Sequence, residues 1–211
     1  MERVLQKISG LLLDLIFPCF CFGCSKEGRF LCADCGQRLE REFLPNSGQP
    51  HCAFDYHHPL LRELIFAFKY DQLKQLDQTL AKLLLDFFAQ KQIKFDRSWT
   101  VSFVPMHPGK QNTRGFNQAE LLAAKLAKLL GLPCFATLEK IRPTRPQMQL
   151  DKAGRLVNLD RAFRPARDPA GLKILLIDDV CTTGATFLEC KKTLLAHGAR
   201  RVCCLALAKD L

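Results

Sequence analysis

The sequence lacks any long hydrophobic run. No stretch among its 211 residues approaches the roughly 20 apolar residues needed to span a bilayer. The apolar positions of residues 1–17 recur at helical spacing, Lys7 and Asp14 interrupt them, and no small-residue cleavage site follows. We therefore predict an amphipathic helix over residues 1–17 instead of a secretory signal or a membrane span, and a cytoplasmic protein.

Acidic residues are scarce in the larger, C-terminal part of the chain. The whole chain carries 31 Lys and Arg against 21 Asp and Glu, a formal net charge of +10. Residues 1–56 hold 6 basic and 7 acidic side chains, whereas residues 57–211 hold 25 and 14. The positive excess therefore belongs to residues 57–211. It indicates either an anionic partner, such as phosphate groups or nucleic acid, or a solvated basic surface.

Two Cys-x-x-Cys pairs lie seven residues apart near the N-terminus, and their members are Cys21, Cys24, Cys32 and Cys35. Each pair presents two sulfurs to one ion, and two pairs complete a tetrahedral thiolate site, for which zinc is the default ion. We predict a structural Zn²⁺ in a module of residues 18–45, with Gly23 and Gly36 supplying backbone freedom at the turns. Cys19 and Cys52 are substitute ligands, and a redox dithiol is the alternative interpretation.

Helical and strand patterns alternate after a short polar linker, which we place at residues 46–54. A helical pattern runs from about residue 60 to residue 89. Apolar strand patterns then alternate with amphipathic helical ones at residues 100–104, 117–130, 172–177, 185–197 and 201–208. This alternation predicts one α/β domain over residues 55–211, with a parallel sheet flanked by helices.

Two adjacent acids, Asp178 and Asp179, follow an apolar strand pattern, at the end where open α/β sheets bind ligands. A turn of small and hydroxyl residues comes next and opens a helix: Thr182, Thr183, Gly184, Ala185 and Thr186. Its backbone amides, its hydroxyls and the positive helix end would hold a phosphate. The carboxylates suit ribose hydroxyls and an associated Mg²⁺. A simple helix cap would explain one threonine or one acid, but not the whole series.

Residues 174–186 resemble the PRPP-binding loop of type I phosphoribosyltransferases. Further stretches narrow the resemblance to the ComF family of competence proteins: residues 104–108, residues 114–118, the Gln147, Leu150, Arg155, Asn158 and Phe163 pattern, and the preceding cysteine pairs. The likeness covers nearly the whole chain. The sequence departs from the family in one respect. Many members carry a second set of cysteine pairs, of which only Cys52 remains here, so a second zinc is not expected.

The resemblance implies a parallel-sheet type I phosphoribosyltransferase-like domain preceded by a helix and a small four-cysteine zinc module. It implies that Asp178 and Asp179 are catalytic residues that meet the ribose hydroxyls or Mg²⁺, and that residues 182–186 hold the 5′-phosphate of PRPP. It also implies that the loop with His107 and Lys110 lies where pyrophosphate binds. Arg114, beside a glycine at a helix entrance, is either an anion contact or a surface arginine that caps a turn.

Residues 140–167 carry eight basic side chains against two acidic ones. Arginine outnumbers lysine, which suits bidentate recognition of phosphates. Phe163 is the only aromatic residue of this segment, so it offers little base stacking. We predict electrostatic binding of single-stranded DNA through Arg142, Arg145, Lys152 and Arg155.

Three functions compete. The ComF resemblance implies a role in DNA uptake, with PRPP or a related sugar phosphate, single-stranded DNA and DNA-processing proteins as partners. The alternative is an active phosphoribosyltransferase that transfers ribose 5-phosphate from PRPP to a nitrogenous base. The third is a zinc-dependent adaptor with a vestigial pocket, against which the intact acids and threonines argue.

Overall fold

A computed structural model of the chain describes residues 18–45, 50–71, 73–109, 115–143, 159 and 161–210. The helix predicted over residues 1–17 lies outside these ranges. In chain order the elements are α1 (Ala33–Glu40), β1 (His51–Asp55), α2 (Pro59–Lys69), α3 (Leu76–Gln90), β2 (Trp99–Phe103), α4 (Gln118–Leu130), β3 (Leu138–Lys140), β4 (Phe163–Pro165), β5 (Lys173–Cys181), α5 (Ala185–Ala196) and β6 (Arg201–Lys209).

A four-stranded sheet forms the centre of the molecule, with the strand order β1-β6-β5-β2. All three pairings are parallel. The carboxyl ends of the strands therefore share one edge of the sheet, the edge where open α/β sheets bind ligands. β3 and β4 form a separate antiparallel pair. The parallel α/β fold predicted from the sequence is confirmed.

Both faces of the sheet are buried, which explains why its central strands are almost uniformly apolar. Leu175 and Ile177 of β5 pack in the core on the side of α2, α3 and α4. Ile174 and Leu176 point to the other side, where α5 and the β3–β4 pair cover the sheet. Successive side chains of a strand point to opposite faces, so nine-residue β5 serves two cores at once.

The single helix predicted over residues 60–89 is wrong, because the chain forms two helices there, α2 and α3. The carbonyl of Ala67 accepts hydrogen bonds from the amides of Asp71 at 3.2 Å and Leu73 at 3.4 Å, which closes α2. Leu73 packs against the core and keeps the apolar spacing continuous through the break. The periodicity therefore conceals the interruption, which only the polar character of the neighbouring residues signals.

The predicted linker, residues 46–54, extends too far toward the C-terminus. Residues 51–55 form β1, the edge strand, which pairs with β6 from His51 opposite Leu205 to Asp55 opposite Lys209. Cys52, Ala53 and Phe54 are buried, so this segment belongs to the α/β domain. A strand of five residues is too short to give a recognisable periodic pattern in the sequence.

Both ends of α4 are capped. Asn117 Oδ1 accepts a hydrogen bond from the Ala119 amide at 3.1 Å, and Asn117 Nδ2 donates to the Val104 carbonyl at 3.1 Å. Gly131 ends the helix in the left-handed conformation, with φ of 68°. The N-cap thus also ties α4 to the segment that leaves β2. Across the described residues, no helix combines the length and the apolarity required to cross a membrane.

Candidate functional site

The two predicted acids lie near the carboxyl end of β5, which continues past them to Cys181. The predicted strand, ending at residue 177, is therefore too short. Asp178 Oδ1 accepts a hydrogen bond from the Asp179 amide at 2.9 Å, and Asp179 Oδ1 accepts one from the Val180 amide at 2.6 Å. These bonds fix the orientation of both carboxyl groups at the carboxyl edge of the sheet.

Lys69, the last residue of α2, forms an ion pair with the second acid. Its Nζ lies 3.0 Å from Asp179 Oδ2, and each side chain is only 14% exposed. Lys69 is not among the site residues predicted from the sequence. One signal for it exists in hindsight: Lys69 follows buried Ile65 by one helical turn, so it borders the apolar face of α2. A cation at that position needs a charged partner.

Asp178 is held in its neutral form. Desolvation, and then the nearby charge of Asp179, raise the pKa of Asp178 to about 8, although the Asp179 amide and Lys69 oppose this shift. At neutral pH the pair therefore offers a protonated Asp178 beside an Asp179 that contacts Lys69. A protonated carboxyl group can donate a hydrogen bond as well as accept one.

The turn of residues 182–186 leads from β5 into α5. Gly184 precedes the helix with φ of 78°, a conformation that favours glycine. Thr183 is exposed, and its Oγ1 accepts a hydrogen bond from the Ala185 amide at 3.4 Å. The positive end of the twelve-residue α5 therefore begins directly beside the two acids. Thr182, Ala185 and Thr186 complete this turn as predicted, and their contact with a phosphate stays a prediction.

Cys52 lies on the core side of this site, away from the cysteine module. Its thiol donates a hydrogen bond to the Pro50 carbonyl at 3.9 Å. Its interaction with the thiol of Cys181, and burial, raise the pKa of Cys52. The same interaction lowers the pKa of Cys181. The suggestion that Cys52 substitutes as a zinc ligand is therefore wrong, because β1 carries it into the sheet beside β6, where it packs in the same core cluster as Cys181.

The loop after β2 starts at the same edge of the sheet. The Val104 amide donates to the Ile177 carbonyl at 2.9 Å, which holds the start of this loop against β5. His107 Nδ1 accepts a hydrogen bond from the Gly109 amide at 3.2 Å. Lys110 and Arg114 lie outside the described residues. A pyrophosphate contact by any of these three side chains stays a prediction.

The basic segment is described only at residues 140–143, 159 and 161–167. Arg164 Nε pairs with Glu139 Oε1 at 2.6 Å, and Lys140 Nζ lies 5.5 Å from the centre of the Phe163 ring. Arg142 is exposed at the end of β3. Arg145, Lys152 and Arg155 lie outside the described residues, so their binding to DNA stays a prediction.

The four cysteines of the paired motif come together as predicted. One sulfur from each of Cys21, Cys24, Cys32 and Cys35 lies within 4.8 Å of the others. The sulfurs of Cys24 and Cys32 are 3.6 Å apart, and the Cys32 amide donates to Cys21 Sγ at 3.3 Å. Burial opposes ionisation of Cys21, but hydrogen bonds from the backbone of Cys32 and Gly23 lower its pKa to about 6. Burial raises the pKa of Cys35 to about 12.

The surroundings fit a metal ion held by four thiolates. Arg38 Nη2 lies 3.0 Å from Cys35 Sγ and would offset part of the negative charge. A Cβ on Gly23 would lie 2.8 Å from the same sulfur, so only glycine fits there. The reason for this glycine is space, and the predicted backbone freedom is wrong for both glycines. Neither has a positive φ, and Gly36 lies inside α1, whose N-cap is Cys32.

The fold, the acid pair and the turn that follows it together define a class of protein. The sequence model of the phosphoribosyl transferase domain family matches residues 115–211, from the entrance of α4 through β6. This chain therefore carries a phosphoribosyltransferase-type α/β domain, preceded by a four-cysteine cluster that can bind a metal ion.

The relatives identify the family more closely. DNA utilization protein YhgH of Salmonella typhimurium is 31% identical over 180 residues, which cover 84% of this chain and 78% of that protein. Competence protein F of Haemophilus influenzae is 31% identical over 201 residues, or 92% and 85% of the two chains. Competence protein ComFC of Streptococcus pneumoniae is 28% identical over 195 residues, or 82% and 84%. The chain belongs to the ComF family, which confirms the predicted family.

Proposed function

We propose that this protein binds PRPP or a related sugar phosphate at the carboxyl edge of β5, and handles single-stranded DNA in DNA uptake. One observation carries the first part. The Asp178–Asp179 pair is followed after only four residues by left-handed Gly184 and the N-terminus of α5. This brings ligands for ribose hydroxyls or Mg²⁺ next to a phosphate cradle on one rigid strand–turn–helix unit.

In this proposal each part of the site has one task. The amides of residues 182–186 and the positive end of α5 bind the 5′-phosphate. Asp179, which pairs with Lys69 in the free protein, would hold the Mg²⁺ that accompanies PRPP. Asp178, neutral when the site is free, would form a hydrogen bond to a ribose hydroxyl, or would release its proton to solvent if a bound Mg²⁺ lowered its pKa. Lys69, once released, lies close to the anionic ligand.

The cysteine cluster would hold Zn²⁺ as a structural ion. Four protein thiolates leave no open coordination position, so this ion would not take part in chemistry. Its task would be to fold residues 18–45, a segment too short to build a core of its own. Leu31 and Leu60 pack around the sulfurs and connect the cluster to the start of α2.

The DNA part of the proposal is supported by charge and by the names of the relatives. Residues 57–211 carry the whole positive excess of the chain. Relatives are named for DNA utilization and for competence. Fluorescence anisotropy with a labelled oligothymidylate tests this part, and we expect an affinity that falls steeply as salt rises. Absence of binding at moderate salt would contradict a role in handling single strands.

Thermal unfolding tests the sugar-phosphate part. PRPP with Mg²⁺ should raise the melting temperature of the native protein, because a ligand that binds only the folded state stabilises it. The increase should vanish in Asp178→Asn/Asp179→Asn and persist in Asp168→Asn, whose exposed carboxylate precedes β5 at the opposite end of the sheet. Pyrophosphate release, measured with a series of nitrogenous bases, then separates binding from transfer of ribose 5-phosphate.

A further inference from the structure

Two large aromatic side chains stay in solvent on α2 and at its end. Phe66 is 54% exposed and Tyr70 is 55% exposed, and their ring centres are 4.9 Å apart. Buried residues on the other side of α2 anchor the helix to the core: Leu61, Leu64, Ile65 and Phe68. An exposed pair of neighbouring rings is a feature of interaction sites, whereas single exposed apolar residues are ordinary.

The rings lie beside the candidate sugar-phosphate site. Lys69 is the neighbour of Tyr70 in the chain and lies one turn from Phe66, and its Nζ reaches Asp179 at 3.0 Å. Residues three or four apart on a helix have Cβ atoms roughly 5–6 Å from one another. The last turn of α2 therefore directs Lys69 toward the carboxyl edge of β5 and leaves the two rings in solvent next to it.

Arg62 extends this pair into a row. It is exposed and precedes Phe66 by four residues, as Phe66 precedes Tyr70, so the three side chains follow one line along the helix. We call Arg62, Phe66 and Tyr70 the aromatic row. Glu63, which is also exposed, lies on its flank. A cation followed by two rings matches the two requirements for binding a single strand, namely a phosphate contact and faces on which bases stack.

We propose that the aromatic row binds single-stranded DNA, with Phe66 and Tyr70 stacking on bases and Arg62 contacting the backbone. The inference rests on the proposed DNA-handling function and assigns it a surface. Rings more than half exposed favour a base presented by a strand over a free base, which would need an enclosed pocket. The basic charge of the domain favours a polyanion over an apolar protein partner.

Anisotropy titrations of the full chain test this assignment with two labelled probes of equal charge. One is an oligothymidylate of about 20 nucleotides, longer than the ~4–16 nucleotides that one single-strand-binding fold covers. The other is an abasic oligonucleotide of the same length. The native protein should prefer the probe with bases. Phe66→Ala and Tyr70→Ala should each weaken binding of oligothymidylate roughly fivefold or more and leave the abasic probe unaffected.

Three controls keep the outcomes distinct. Tyr70→Phe should retain binding, because it keeps the ring. Leu195→Ala, which removes an apolar side chain 43% exposed near the end of α5, should change neither probe. Unaltered melting temperatures of the ring variants would confirm that they fold. Native binding with no loss in the ring variants would overturn the aromatic row alone, whereas absence of any native binding would overturn the DNA-handling function with it.

Discussion

Lys69 Nζ lies 3.0 Å from Asp179 Oδ2, and this ion pair joins the end of α2 to the carboxyl end of β5. Both side chains are 14% exposed, so solvent screens the pair poorly. The lysine lies against Asp179 next to the protonated Asp178, where an incoming metal ion would compete with it. This ion pair therefore stabilises the free protein and also holds Asp179 in position at the candidate site.

Removal of this lysine should destabilise the protein. Lys69→Met leaves Asp179 without its cation, and we expect the free energy of unfolding in urea to fall by roughly 3 kcal/mol, the lower end of the range for breaking buried pairs. Adding Asp179→Asn should restore much of the loss. Lys82→Met is the matched control: its ion pair with Asp86 is 4.0 Å long and the lysine is 73% exposed, so the change should stay within about 0.5 kcal/mol. Equal losses in the two lysine variants would contradict this account.

The raised pKa of Asp178 predicts a pH dependence of stability. The unfolded chain releases this proton near the ordinary aspartate pKa of 3.8, whereas the folded protein holds it to about pH 8. The folded state therefore binds more protons between these values, and the free energy of unfolding should decrease as pH rises from about 4 to 8. Asp178→Asn should remove this contribution. Urea unfolding at several pH values gives the difference, and parallel pH profiles of the two proteins would be the contrary result.

Gly184 and Gly131 allow a matched test of the phosphate turn. Both have a positive φ, of 78° and 68°, and an added Cβ would meet no atom closer than 3.7 Å at either position. Alanine should cost each position roughly 1–2 kcal/mol of stability. Only Gly184→Ala should also weaken binding of PRPP, because Gly131 ends α4 away from the turn. Isothermal titration calorimetry gives the affinity of each variant for PRPP. Equal affinities in Gly184→Ala and Gly131→Ala would exclude the turn from the phosphate site.

The cysteine cluster predicts a selective loss of metal. Cys35→Ser should abolish stoichiometric zinc, measured by mass spectrometry of the purified protein, since it removes one of four ligands. Cys52→Ser should retain zinc, because the Cys52 thiol contacts Cys181 instead of the cluster. Zinc lost equally from the two variants would contradict the assigned ligand set. Chelation of the metal should lower the melting temperature of the native protein and of Cys52→Ser.

The parts of the fold that the sequence predicted well are those with long periodic patterns or local stop signals. The apolar runs of β5 and β6 and the capped helix α4 lie within a few residues of their expected positions. The errors have physical causes. β1 is only five residues long, and the gap between α2 and α3 keeps the apolar spacing because Leu73 still packs on the core.

The candidate site likewise has parts that the sequence predicts and parts that it does not. Asp178, Asp179 and residues 182–186 are contiguous in sequence, so a strand–turn–helix pattern is enough to predict them together. Lys69 and the Cys52–Cys181 contact depend on the packing of distant segments against β5, which no local pattern encodes. Phe66 and Tyr70 were not predicted as site residues, although both positions lie off the helical spacing of buried Leu61, Leu64, Ile65 and Phe68.

Isothermal titration of PRPP into the full, zinc-loaded chain, with and without Mg²⁺, tests the central claim most directly. The account predicts saturable binding that requires Mg²⁺, disappears in Asp178→Asn/Asp179→Asn and survives in Asp168→Asn. A folded native protein that binds no PRPP in the presence of Mg²⁺ would contradict it, and would mean that the phosphoribosyltransferase-type domain keeps its scaffold without its ligand.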